Sequence, residues 1–181
     1  MASTFLLING ALFKISNLKS CEQLHSSVTS FALFCKSSKM GESMFPSADA
    51  VSFVCGNSGK IREAESILKD SYIKIHYVKL DLPEYQGDSD FVSKSKCRSA
   101  TSVVKGPVIV EDTSLCFNAF HGLPGPYIKW FYEKLGSEGL HRLLTGWEDK
   151  SASAVCTLAF TEGPDKEVFL FSGEVKGTIV A

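Results

Sequence analysis

Long apolar runs are missing from this chain: no stretch of its 181 residues approaches the roughly 20 consecutive apolar residues that a membrane span needs. An excess of charge of either sign is missing too. Nineteen Lys and Arg stand against 20 Asp and Glu, giving a formal net charge of -1 and a pI near 6.4. Such a balance creates no field for nucleic acid or for an anionic membrane surface, so neither is an expected partner. Any phosphate ligand must then be held by local cations. The six cysteines (Cys21, Cys35, Cys55, Cys97, Cys116, Cys156) form no CxxC pair, and their spacing fits neither a zinc site nor a disulfide framework. They read as free thiols of a reducing compartment, which suggests the cytoplasm. The four histidines are scattered without an HExxH, which argues against a zinc hydrolase. Internal repeats are absent as well.

What is present, 44% hydrophobic and 22% charged residues, suits one globular domain of mixed class. Residues 1–48 differ from the rest. They are rich in serine, carry Lys14, Lys19, Lys36 and Lys39, and have only Glu22 and Glu42 as acids. Serine-rich and acid-poor is the composition of an organellar transit peptide, although the segment lacks arginine. Its apolar patches at 5–8 and 31–34 are equally compatible with order or with an irrelevant extension, and Met40 and Met44 offer alternative starts. An organellar location is the alternative to the cytoplasm if the segment is a targeting signal. The domain proper, 49–181, opens with a short buried strand at 51–54 and a turn, Gly56-Asn57-Ser58-Gly59. A helix follows with Ile61, Ala64, Ile67 and Leu68 on one face. The pattern then predicts a strand at 73–78, an acidic loop at 81–90, and a helix at 94–104 stopped by Gly106-Pro107. Helices are expected at 127–135 and 139–144, and a hairpin of 152–160 with 167–174 turning at Gly163-Pro164-Asp165. Residues 177–181 look like the start of a further strand whose sheet hydrogen bonds and core contacts would lack partners, which reads as a truncation.

The most informative segment is 106–130, GPVIVEDTSLCFNAFHGLPGPYIKW. The apolar run Val108-Ile109-Val110 gives way to Glu111-Asp112-Thr113, so a buried strand is expected to deliver two carboxylates and a hydroxyl at its carboxyl end, where open α/β sheets bind ligands. Adjacent buried acids need a compensating cation. Mg²⁺ suits them because it prefers carboxylate oxygen and bridges to substrate phosphates. Farther on, a stiff Gly-Pro loop leads to Lys129, a cation placed to meet an anion. Upstream, CGNSGK at 55–60 follows a strand and opens a helix, where backbone amides and a lysine can hold a phosphate. Its glycine spacing is too short for a Walker A loop, and a plain strand-to-helix turn with a solvated lysine fits equally well. Glu84, in the loop LDLPEYQG, is on its own an ordinary surface charge, and Lys96 an ordinary surface lysine. His141-Arg142 reads as a surface pair on an amphipathic helix, and Trp147 as packing against a helix end.

Taken in order, strand–CGNSGK–helix, LDLPEYQG, GPVIVEDTSLCFNA and GLPGPYIKW resemble the inosine triphosphate pyrophosphatase (HAM1-like) family, the nucleoside-triphosphate pyrophosphatases that remove ITP, XTP and their deoxy forms. The resemblance covers 51–181. It implies an α/β fold with an elongated mixed β-sheet, flanking helices and two lobes around a nucleotide cleft, usually as a homodimer. It also implies Mg²⁺-dependent hydrolysis between the α- and β-phosphates, with Mn²⁺ as a possible substitute. Carried over by position, Cys55, Gly56, Asn57, Ser58, Gly59 and Lys60 would grip the triphosphate. Lys96, Thr113 and Lys129 would contact phosphates or sugar. Glu84 and Asp112 would hold the metal or its water shell; Asp112 would activate the attacking water, with Lys60 as the second catalytic group.

The match has three departures. Cys55 stands where the family has threonine, exchanging a good hydroxyl donor for a weak thiol. Gly59 replaces a usual lysine. The family's later base-reading Gly-Trp-Asp and Ser-His-Arg segments have no counterpart here, so base choice cannot be read from these residues. The alternative expectation is therefore a truncated form, weak or inactive in catalysis, that binds nucleotide or pairs with a complete subunit. A related pyrophosphatase acting on other modified nucleotides is a further alternative.

Overall fold

The structure, a computed structural model, describes residues 51–55, 60–62, 64 and 74–180, together with the strand backbones of 3–8 and 11–16 and helical positions 29, 30 and 33. Ile67, Leu68 and Ile73 of the expected elements lie outside the described residues, as do Cys21 and Cys35. An eight-stranded mixed sheet organises the rest. Its strands are β1 (Ser3–Ile8), β2 (Ala11–Ser16), β3 (Val51–Val54), β4 (Ile75–Val78), β5 (Val108–Phe117), β6 (Pro124–Gly125), β7 (Ser151–Thr161) and β8 (Val168–Ile179), in the order β1-β2-β8-β7-β5-β3-β4, with β6 also paired to β5. Strands β3, β4 and the start of β5 run parallel, whereas β7 and β8 are antiparallel additions.

Apolar residues leave the sheet on both sides, as a sheet covered on two faces requires. On one face Val54, Val108, Val110 and Ala159 pack with Cys97 and Ala100 of α1 (Ser89–Val104). On the other, Val51, Phe53, Ile109, Leu158 and Phe160 pack with Ala64 of the helical turn that follows β3. The far end of β5 supplies Leu115 and Phe117 to a third cluster with Ile128 and Leu140 of α2 (Ile128–Leu143). Helix α1 begins five residues before its expected start because Asp88 caps it, accepting from the Phe91 N–H at 2.7 Å. It ends in a left-handed Lys105 (φ 61°), one residue ahead of Gly106-Pro107. The two helices expected at 127–135 and 139–144 form one element broken at Gly136, whose φ of 64° only glycine adopts freely.

Two expectations are corrected. Strand β5 does not end at Val110: it continues through the acids to Phe117, because β7 pairs with it from Val108↔Thr161 to Phe117↔Ala152. Residues 177–179 do not begin a new strand. They continue β8, which β7 pairs as far as Ser151↔Thr178, and β2 pairs at Ile15↔Ile179 and Ser16↔Thr178. The sheet hydrogen bonds expected to be orphaned there are made, including Ile179 N–H to the Lys150 carbonyl at 3.0 Å. Among the described residues no helix is long and apolar enough to cross a membrane.

Phe160 is fully buried between the sheet and the helical turn, whereas Val103 is 63% exposed on α1. Phe160→Ala should lower the unfolding free energy by about 3–5 kcal/mol, measured by urea titration, and Val103→Ala should leave the midpoint close to its original value. Equal midpoints for the two variants would contradict this core.

Candidate active site

Strand β5 has two different neighbours along one edge. β3 accompanies it up to the pair Val54↔Val110, and β6 takes over at Leu115↔Gly125. Between them, residues 111–114 have no strand on that edge among the described residues, leaving a notch at the carboxyl end of β3. Open parallel sheets form ligand sites at such ends. A cavity of about 450 Å³ occupies the notch, walled by Val54 and Cys55, by Lys79 to Leu82 beyond β4, by Glu111 and Asp112, and by Pro126, Lys129 and Trp130. Lys60, Glu84 and Lys96 complete its polar wall.

Successive side chains of a strand point to opposite faces, so the adjacent acids separate. Asp112 faces α1, where the Lys96 ammonium donates to its Oδ1 at 2.9 Å. The same ammonium lies 2.8 Å from Glu84 Oε2, and Lys129, from the first turn of α2, donates to Glu84 Oε1 at 3.1 Å. One lysine is thus shared by two carboxylates, and the neutralisation of Asp112 is incomplete. Burial pushes the Asp112 carboxyl above its ordinary range, and Lys96 only partly offsets this. Asp112 Oδ2 is buried without a hydrogen-bond partner among the described residues. Glu84 is more exposed; burial would raise its carboxyl, but bonds from Lys96 and Lys129 prevail and hold it below the usual value. Burial alone would lower Lys96, and its two carboxylates more than reverse that.

The loop carrying Glu84 has no regular secondary structure, so side chains fix its position. Tyr127, just before α2, both receives the Gly87 N–H (2.8 Å) and donates to the Gly87 carbonyl (2.9 Å). The Tyr85 hydroxyl bonds Ser99 of α1, and Ser89 bonds Ser114 of β5 at 2.8 Å. The tyrosine of GLPGPYIKW and the tyrosine of LPEYQG therefore hold the loop that carries Glu84.

On the opposite face Glu111 forms a short ion pair with Lys60, which also donates to the Thr113 hydroxyl at 2.9 Å. Thr113 in turn donates to Glu111 Oε1, and the Cys156 thiol approaches the same oxygen at 3.4 Å. Side-chain exposures of 8% for Lys60 and 2% for Glu111 make this a buried pair. Burial would lower the Lys60 ammonium; Glu111, helped by the Cys156 and Cys55 sulfurs, holds it above the ordinary lysine value.

Of the residues anticipated from sequence, Cys55, Lys60, Glu84, Lys96, Asp112 and Lys129 all line this one cavity. Thr113 is buried behind Lys60 and is not part of the wall. Gly56, Asn57, Ser58 and Gly59 lie outside the described residues. Sequence reasoning gave Glu111 no separate role, yet it is the counter-ion of Lys60. It also passed over Lys79, which directly follows a strand parallel to β3, and Trp130, whose ring lies 5.2 Å from the Lys129 ammonium. Trp147 stacks edge-on against Phe120 (5.5 Å) and Arg142 pairs with Glu138, both as packing and surface roles require.

Among the described residues no three His, Cys, Asp or Glu gather as a metal cage. Two carboxylates converging on one cation position, one with a free buried oxygen, nevertheless suit Mg²⁺, which takes one or two carboxylates and fills its shell with water and phosphate oxygens.

The chain is similar in sequence and fold to known proteins. A family model described as the Ham1 family matches residues 51–181. The Ham1 protein of Staphylococcus aureus superposes with a TM-score of 0.57 at 26% identity, covering 71% of this chain and 72% of that one. A HAM1 protein from Coxiella burnetii gives 0.61 at 21% identity, with coverages of 71% and 72%. The nucleoside-triphosphatase, or dITP/XTP pyrophosphatase, of Mycobacterium abscessus gives 0.59 at 18%, with 71% and 73%. At such identities the last two speak to the fold alone.

Removing one partner of a buried pair strands the other charge. Glu111→Ala should therefore destabilise the fold by about 3–5 kcal/mol, while Glu111→Met combined with Lys60→Met should recover most of the loss. Urea titration of the three proteins measures both effects. A single variant as stable as the parent would show that the pair carries no structural weight.

Proposed function

Because the chain belongs to the Ham1 family, we propose that it is a Mg²⁺-dependent nucleoside-triphosphate pyrophosphatase acting on ITP, dITP and XTP, releasing the nucleoside monophosphate and pyrophosphate. The observation that carries the reading is the convergence of Glu84 and Asp112 on a single cation position in a cavity ringed by lysines.

The cavity wall supplies Lys60, Lys79, Lys96 and Lys129 against Asp81, Glu84, Glu111 and Asp112. Four formal charges of each sign cancel, so the wall alone does not offset the charge of a triphosphate. Glu84 and Asp112 would hold Mg²⁺, which when bound offsets phosphate charge and polarises the phosphoryl oxygens. Asp112 Oδ2, without a hydrogen-bond partner among the described residues and raised in basicity by burial, would orient a water and accept its proton. The new bond joins that water oxygen to the α-phosphorus. The bond that breaks lies between the α-phosphorus and the oxygen bridging to the β-phosphorus, and its electron pair leaves with pyrophosphate. Lysine ammonium groups preorganised on the wall stabilise the charge developing on that leaving group. Lys60 acts from a fixed position because Glu111 and Thr113 hold it. The same reading includes a homodimer, a cytoplasmic location and partial replacement of Mg²⁺ by Mn²⁺.

Asp112→Asn removes a charge at nearly constant shape and should reduce Mg²⁺-dependent pyrophosphate release on the order of 10²-fold or more; retention of most activity would overturn the role of Asp112. In a substrate panel, ITP and XTP should be hydrolysed in preference to ATP and GTP. Preference for a modified pyrimidine triphosphate would refute the proposed substrate class.

A further inference from the structure

The Lys96 ammonium sits between the two carboxylates proposed above as metal ligands, 2.8 Å from Glu84 Oε2 and 2.9 Å from Asp112 Oδ1. Glu84 comes from an irregular loop and Asp112 from the centre of the sheet, and α1 brings Lys96 to both. Two carboxylates from separate elements repel each other unless a cation lies between them. With its side chain only 14% exposed, Lys96 is that cation and not a solvated surface charge. Lysine is a compact monovalent charge on a flexible four-carbon stem. It can keep the acids assembled and still withdraw along its stem without moving the helix that carries it.

We propose that Lys96 is an exchangeable counter-ion: it holds the cation position between Glu84 and Asp112 until Mg²⁺ takes the same oxygens, and it then turns to the phosphates of the substrate. The proposal rests on the functional reading above and adds an order of events to it. Without nucleotide, lysine and metal compete for one position, so Mg²⁺ binds more weakly than the two carboxylates alone would allow. A polyphosphate in the cavity offers Lys96 another partner, so metal and substrate favour each other's binding. Lys129 differs: of the two carboxylates it pairs with Glu84 and not with Asp112 among the described residues, at 3.1 Å and with a side chain 41% exposed. It therefore separates displacement from a general electrostatic effect.

The test is calorimetric titration of MgCl₂ into the nucleotide-free full chain, with thermal unfolding in EDTA and in excess Mg²⁺. Lys96→Met keeps the apolar stem and removes the charge. It should bind Mg²⁺ at least tenfold more tightly than the parent, melt lower in EDTA, and recover most of that loss when Mg²⁺ is added. Lys129→Met should tighten Mg²⁺ binding less than threefold. Lys96→Arg retains the charge, serves if the methionine variant does not fold, and should bind Mg²⁺ no better than the parent. Unchanged or weaker Mg²⁺ binding by Lys96→Met, equal tightening by Lys129→Met, tighter binding by Lys96→Arg, or no detectable Mg²⁺ binding by any of the proteins would each overturn the exchange. None of these readouts uses turnover. Exchange without pyrophosphate release from ITP would therefore refute only the functional reading, and hydrolysis without the expected affinity change only the exchange.

Discussion

The sharing of one ammonium between Glu84 and Asp112 determines the shape of the whole site. Without Lys96, Asp112 would be left as a largely buried charge lacking its partner, a costly defect, whereas Glu84 is 41% exposed and would keep Lys129. The contact also draws three pieces of chain together: the central strand, the helix packed over it, and a loop without regular structure. Tyr85 and Tyr127 then tie that loop to α1 and to the residue before α2.

The second organising feature is the change of neighbour along β5. Where β3 stops and β6 has not yet begun, no described strand covers the edge of β5, and side chains from both faces of the sheet reach a common cavity. Alternation along the strand gives the two faces different tasks. Asp112 enters an electrostatically incomplete arrangement, with one oxygen unpartnered among the described residues, whereas Glu111 enters a saturated one with Lys60, Thr113 and Cys156. The unsaturated acid suits chemistry, and the saturated one suits fixing a cation in place. Two adjacent residues of one type thus acquire separate roles from the period of a strand alone.

Much of this was legible in the sequence because motif residues are covalent neighbours. The positions of the main strands, both principal helices and the β7–β8 hairpin followed from apolar spacing and turn residues, and the grouping of Glu84, Lys96, Asp112 and Lys129 from the family resemblance of the motifs that carry them. The extent of β5 did not follow, because loss of apolar character at Glu111 marks a strand end only if no partner continues the ladder, and β7 does continue it. The Lys60–Glu111 pair spans 51 positions. It depends on the parallel register that aligns Val54 with Val110, which no local pattern records. Lys79 was invisible for the same reason: a lysine after a strand is unremarkable until that strand is known to run parallel to the one beside the notch. The continuity of β8 likewise comes from its pairing with β7 and β2, not from its own residues.

The proposed reaction is defined by which bond the site breaks. Purified chain incubated with ITP and Mg²⁺ and followed by phosphorus NMR reads this directly. Inosine monophosphate and pyrophosphate resonances should grow in equal amounts, with no orthophosphate released initially. Inosine diphosphate with orthophosphate would place the cleavage at the wrong anhydride, and unchanged ITP would deny the activity altogether; either result contradicts the proposal.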